Sequence, residues 1–133
     1  MSTVNVLVID DEPQGARIVS DLLHGVGFAT TVVHSAKDAR AQMTKQAWAL
    51  VVIDELLTDG SGTDLAAEFR QSLPETVIAM STVIDDEDAI RRAFSSGANY
   101  FVVKPNGFRK LLKARSSVEA LLDLTAHDIF GGR

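Results

Sequence analysis

The chain has 133 residues, 46% of them hydrophobic and 23% charged, with no cysteine and a net charge of −5. That is the size of one ordinary globular domain; it excludes a disulfide framework and a thiolate metal site, and its acidity argues against direct nucleic-acid binding. No apolar stretch approaches the roughly 18–20 residues of a membrane helix, and the N-terminus runs into an apolar segment without the basic region of a signal peptide.

The charge is uneven. Residues 1–70 hold 10 acids against 5 bases, and residues 71–133 hold 8 of each. Lys104, Arg109, Lys110, Lys113 and Arg115 form a basic run without an acid. Such a run is ordinarily a solvated helix face; the sharper reading is a docking surface for an acidic partner.

Strand and helix patterns alternate five times. Val4 to Ile9 is a short Val/Ile-rich run, expected as a strand buried on both faces. Ala16, Val19, Leu22, Leu23 and Val26 then recur at helical spacing, with Pro13 at the helix start and Gly25 and Gly27 at its end. Ala29 to Val33 is a second strand, and Ser35 caps a helix expected through Gln46. Ala49 to Ile53 is the third strand, with Trp48 packed at its start. The turn-forming loop from Thr58 to Gly62 leads into a helix bearing Leu65, Ala66, Phe69 and Leu73, which Pro74 stops. Thr76 to Met80 is the fourth strand. The acidic residues Asp85 to Asp88 suit a helix N-terminus, and Gly97 closes that helix. Tyr100 to Val103 is the fifth strand, and a last helix is expected from about Gly107 to Leu124. Its Leu111, Ala114, Val118 and Leu121 are read as the stripe packed on the sheet.

This alternation specifies an α/β fold with a parallel sheet and helices on both faces. The domain is expected over residues 1–124, followed by a short, loose tail at 125–133.

Four of the apolar runs end in a chemically capable group. The first ends in Asp10 and Asp11, the third in Asp54, the fourth in Ser81 and Thr82, and the fifth in Lys104 and Pro105. In a parallel sheet these ends converge on the edge where ligands bind. Like charges held together are costly unless a cation joins them. Mg²⁺ fits an all-oxygen donor set that must also accept phosphate oxygens, with Mn²⁺ an alternative. Lys104 and Thr82 suit a phosphoryl oxygen, and Asp54, at the end of a central strand, can act as a nucleophile. The pattern is that of a metal-dependent phosphoryl-transfer site.

These residues, with Gly62 eight positions after Asp54, make the chain resemble a response-regulator receiver domain of two-component signalling, over roughly residues 4–122. The resemblance implies a three-layer, flavodoxin-like, doubly wound (βα)5 fold with strand order 2-1-3-4-5. It implies that Asp54 accepts a phosphoryl group from the phosphohistidine of a sensor histidine kinase or histidine phosphotransfer protein. Asp11, Asp54 and the backbone carbonyl of Leu56 would hold Mg²⁺, with Asp10 acting through water, while Thr82 and Lys104 grip the phosphoryl group. Phe101 aligns with the switch aromatic; Tyr100 beside it points to the opposite face. The reaction would alter the surface of the fourth helix, fifth strand and fifth helix, for partner binding or homodimerisation.

Two departures bear on the site. Thr58 stands where the family commonly has Pro, which implies a looser loop. Val83 stands where Ala or Gly is usual, which implies a narrower entrance to Asp54. The resulting expectation is a cytoplasmic signalling protein, not an enzyme beyond self-phosphorylation and self-dephosphorylation, with no contact to nucleic acid or membrane. It is either free-standing or part of a longer regulator. The alternatives are a receiver-like interaction module that takes up no phosphate and, weaker because position 56 is Leu, a small Mg²⁺-dependent phosphatase. His24, His34 and His127 lack metal-ligand spacing and are read as surface or packing residues.

Overall fold

The structure, a computed structural model, describes residues 3–122. Along the chain run β1 (Asn5–Ile9), α1 (Pro13–Val26), β2 (Ala29–Val33), α2 (Ala36–Gln42), β3 (Leu50–Ile53), β4 (Leu56–Leu57), β5 (Gly60–Ser61), α3 (Gly62–Ser72), β6 (Val77–Thr82), α4 (Glu87–Ser95), β7 (Tyr100–Val103), α5 (Gly107–Ala114) and α6 (Val118–Leu122). The five main strands form one parallel sheet in the order β2-β1-β3-β6-β7. Leaving aside the small β4–β5 hairpin, this is the expected 2-1-3-4-5 arrangement.

Side-chain alternation divides the core into two layers. Leu7, Ile9, Val51, Ile53, Ile78 and Met80 face α2, α3 and α4, where they meet Ala36, Ala39, Leu65, Ala66, Phe69 and Ala93. Val6, Val8, Leu50, Val52, Val77 and Ala79 face the other way, against Ala16, Val19 and Leu23 of α1 and Phe108, Leu112 and Leu121 of the last two helices. The central strands therefore present apolar side chains to both layers, which is why they read as continuous rather than alternating apolar runs.

Helix boundaries follow local chemistry. Pro13 opens α1, and Gly27 (φ 119°) closes it through hydrogen bonds to the Leu23 and His24 carbonyls. The Ser35, Ser61 and Asp86 side chains accept from backbone N–H groups at the starts of α2, α3 and α4, the usual capping arrangement.

Two helical expectations need correction. α2 stops at Gln42 rather than Gln46, and the Trp48 indole donates to the Gln42 carbonyl at 2.9 Å. The same carbonyl also accepts from Lys45 N–H at 3.1 Å, an i→i+3 bond that tightens the turn where the α-helix ends. The last helix is two helices. The Arg115 N–H still bonds to Leu111, but Ser117 then caps a new start by accepting from Ala120 N–H. Serine competes with helix continuation through such local bonds. Of the expected stripe, Leu111, Val118 and Leu121 pack on the core and Ala114 is exposed; Phe108 and Leu112 complete the buried face of α5. The Tyr100 hydroxyl fastens α6 by donating to the Leu121 carbonyl at 2.7 Å. The end of the expected helix and the 125–133 tail lie outside the described residues. No helix among the described residues is long and apolar enough to cross a membrane.

Candidate functional site

The strand ladder extends into the polar residues that follow it. Asp10 N–H donates to Val33 O at 3.1 Å, Asp54 N–H to Ile9 O at 2.9 Å, and Lys104 N–H to Thr82 O at 2.8 Å. The backbones of Asp10, Asp54 and Lys104 are thereby fixed by the sheet. The Lys104–Pro105 peptide bond is cis.

Asp10, Asp11 and Asp54 each offer an oxygen, and these atoms lie within 4.8 Å of one another. Lys104 Nζ donates to Asp10 Oδ2 at 2.9 Å and lies 3.6 Å from Asp54 Oδ2. Asp10 is 4% and Asp54 9% exposed. Glu12 N–H donates to Asp10 Oδ1 at 3.0 Å. The sheet edge therefore brings together all four charged residues singled out in the sequence, and the three carboxylates form a hard, all-oxygen donor set that could hold a metal ion.

Burial pushes the Asp54 carboxyl up to about 6; Lys104 opposes this, Asp10 adds to it, and the Leu56 N–H, directed at the carboxylate, opposes it. For Lys104, burial acts to lower its pKa, but the hydrogen bond to Asp10 and the charges of both aspartates outweigh this and hold it above the ordinary lysine value. The site thus concentrates negative charge in a poorly solvated place and offsets only part of it with one ammonium.

The other expected residues stand further out. Thr82 is 1% exposed, and its hydroxyl accepts from Ile84 N–H at 3.3 Å. It shares the face of Ile78 and Met80, whereas Ser81 points into the cavity beside Asp54. Phe101 packs half-buried on the α2–α3–α4 side, and Tyr100 lies on the opposite face, as strand parity requires. Leu56 is 56% exposed.

A cavity of about 530 Å³ opens beside Asp54 between α1 and the start of α5. Ile18, Leu56 and Val83 are exposed large hydrophobic residues, and all three line it. Val83, 63% exposed, stands on the rim.

The loop after Asp54 is fastened despite lacking proline. Glu55 Oε1 accepts from Thr63 N–H and Oγ1–H at 2.7 and 2.8 Å, and Gly62 N–H donates to Glu55 O at 2.8 Å. A Cβ on Gly62 would overlap the Asp54 carbonyl oxygen, which explains a glycine eight residues on. Thr58 and Asp59 form the tip of the hairpin. Asp59 accepts from Ala36 N–H at 2.8 Å and Lys37 N–H at 3.0 Å, bonds that hold its carboxyl below the usual range. His34 Nδ1–H donates to the Asp10 carbonyl at 2.9 Å. The roles of His34 and Asp59 here were not foreseen from sequence, because their partners lie 24 and 23 residues away.

The family model for the response regulator receiver domain matches residues 6–116, and the chain belongs to that family. The response regulator protein PilR of Pseudomonas aeruginosa is 32% identical over 105 residues, which is 79% of this chain but 24% of PilR. A two-component response regulator from Clostridium difficile has the same fold, with TM-score 0.81 and 22% identity over 90% of this chain and 96% of that one. A response regulator protein from Burkholderia pseudomallei, crystallised with a phosphorylated aspartic acid, a calcium ion and citrate, gives TM-score 0.77 and 25% identity over 88% of this chain and 68% of that one. The chain is a receiver domain of two-component signalling, and it spans about a quarter of the length of PilR.

Proposed function

We propose that the protein accepts a phosphoryl group on Asp54, with Mg²⁺, from the phosphohistidine of a sensor histidine kinase or histidine phosphotransfer protein. The observation that carries this is the meeting of Asp10, Asp11, Asp54 and Lys104 at one sheet edge, in a chain whose Burkholderia relative holds a phosphorylated aspartate and a cation. Asp11, Asp54 and the Leu56 carbonyl would hold the metal, with Asp10 acting through water; Mn²⁺ suits the same donors. The metal supplies positive charge to the phosphoryl oxygens.

An Asp54 oxygen attacks phosphorus, a P–O bond forms, and the P–N bond of the donor breaks with its electron pair leaving on imidazole. Lys104 neutralises charge on the transferred group, and the Thr82 hydroxyl donates to one of its oxygens after turning from its resting place. That turn, followed by Phe101, would alter the surface of α4, β7 and α5 for a partner or a second copy of the chain. We place the receiver unit at residues 1–124, in the cytoplasm with its donor. The partners and output of any longer protein belong to the same reading, because this chain covers only 24% of PilR.

The test is incubation with acetyl phosphate and Mg²⁺, read by intact mass. A gain of one phosphoryl group that Asp54→Asn abolishes is expected. No gain, together with no beryllofluoride binding, would leave instead a receiver-like interaction module, the reading that Val83 on the rim favours.

A further inference from the structure

We infer that the junction between β2 and α2 is a positioning element for the acidic site, acting through His34 and Asp59 although neither offers a ligand atom. This rests on the metal-site reading above and extends it to residues outside the carboxylate cluster.

The site has two halves on separate pieces of chain. Asp10 and Asp11 follow β1, whereas Asp54 and Leu56 follow β3 and lead into the β4–β5 hairpin. The sheet fixes the start of each half. Past the ladder, the segments need other restraints. The β2–α2 junction reaches both. His34 Nδ1–H donates to the Asp10 carbonyl at 2.9 Å. Two and three residues later, Ala36 N–H and Lys37 N–H donate to the two Asp59 oxygens at 2.8 and 3.0 Å. Three residues within the segment 34–37 (His34, Ala36 and Lys37) thus hold the Asp10 backbone on one side and the Asp54 hairpin on the other. Apolar packing supports the bridge: Val33, Ala36 and Leu57 are buried in the same layer, and a Cβ at Gly60 would sit 3.8 Å from that of Ala36.

The bridge also compensates for Thr58. A proline there would stiffen the hairpin tip through its fixed φ. Here the adjacent Asp59 provides the restraint by bidentate attachment to α2, and Glu55 secures the hairpin base through Thr63. Capping of α3 falls separately to Ser61, so the Asp59 carboxylate is committed to α2. Residues that orient metal ligands without touching the metal typically contribute about 10- to 100-fold to affinity.

The test is Mg²⁺ affinity by calorimetry for the native protein, Asp59→Ala, Asp59→Asn and Glu68→Gln. Glu68 ties α2 to α3 through Arg40 at 2.8 Å, so its variant loosens α2 while keeping the His34 and Asp59 hydrogen bonds and the charge of Arg40 that also acts on Asp59. Asp59→Ala is expected to weaken Mg²⁺ binding about tenfold, Asp59→Asn to restore part of it through its one amide oxygen, and Glu68→Gln to leave it unchanged. In metal-free protein, amide chemical shifts of Asp59→Ala should move at residues 10–12 as well as at 54–57. Native Mg²⁺ affinity in Asp59→Ala, with lowered thermal stability alone, would reduce Asp59 to a helix cap and overturn the inference; so would shifts confined to the hairpin and α2. Failure of the native protein to bind Mg²⁺ would instead count against the metal-site reading, while the shift pattern still decides whether the junction couples the two halves.

Discussion

At Asp54 one side chain meets two opposed demands: a nucleophile needs its charge, and its buried setting disfavours that charge. Folding raises the carboxyl from 3.8 to about 6. Between those values the metal-free folded state retains a proton that the unfolded chain has released. Asp54's contribution to stability is therefore fully present below about pH 4 and is lost as pH rises through 6. In chelator, the unfolding free energy of the native protein should fall between pH 4 and 7 by about 1–3 kcal/mol relative to Asp54→Asn. Parallel curves from denaturant titrations would contradict this. Val83 concerns access rather than charge. Trimming it to Ala should lower the barrier to labelling by acetyl phosphate by roughly 1 kcal/mol, about fivefold in rate, in a stopped mass assay. An unchanged rate would show that the rim leaves the donor's path open.

At the scale of elements, turns and junctions matter more than strand interiors. Gly62 is packed against the Asp54 carbonyl, so Gly62→Ala must displace either α3 or the strand end bearing Asp54. A loss on the order of 3 kcal/mol is expected, with phosphorylation impaired more than stability alone explains; a near-neutral melting curve would refute the tight fit. Sequence periodicity located every main strand and all but one of the helices, because Val/Ile runs and glycine or proline stops carry their signal locally. It missed the break at Arg115–Ser117. A stripe of Leu111, Ala114, Val118 and Leu121 reads continuously only if the helix is continuous; Ser117 capping and the bond from Tyr100 to Leu121 made a second helix preferable. At the end of α2 the Gln42 carbonyl is likewise taken by local and tertiary partners, Lys45 N–H and the Trp48 indole.

For the whole molecule, a cation bound only by the folded state links site and stability. With free Mg²⁺ a hundredfold above its Kd, the unfolding free energy should rise by about 2.7 kcal/mol and the melting temperature by about 10 °C. Asp11→Asn should remove most of that rise in scanning fluorimetry. Equal shifts in native and variant protein would place the ion elsewhere.

The sequence by itself determined the layering, the strand order through its resemblance, and the candidates Asp10, Asp11, Asp54 and Lys104, since each of these residues ends an apolar run and a parallel sheet must gather such ends on one edge. Only the tertiary structure decided how the gathered charges balance: which aspartate the lysine grips, and how far burial raises Asp54. It alone revealed that His34 and Asp59 span the two halves of the site, because the contacts join positions more than twenty residues apart, and neither residue type nor spacing marks such pairs along the chain.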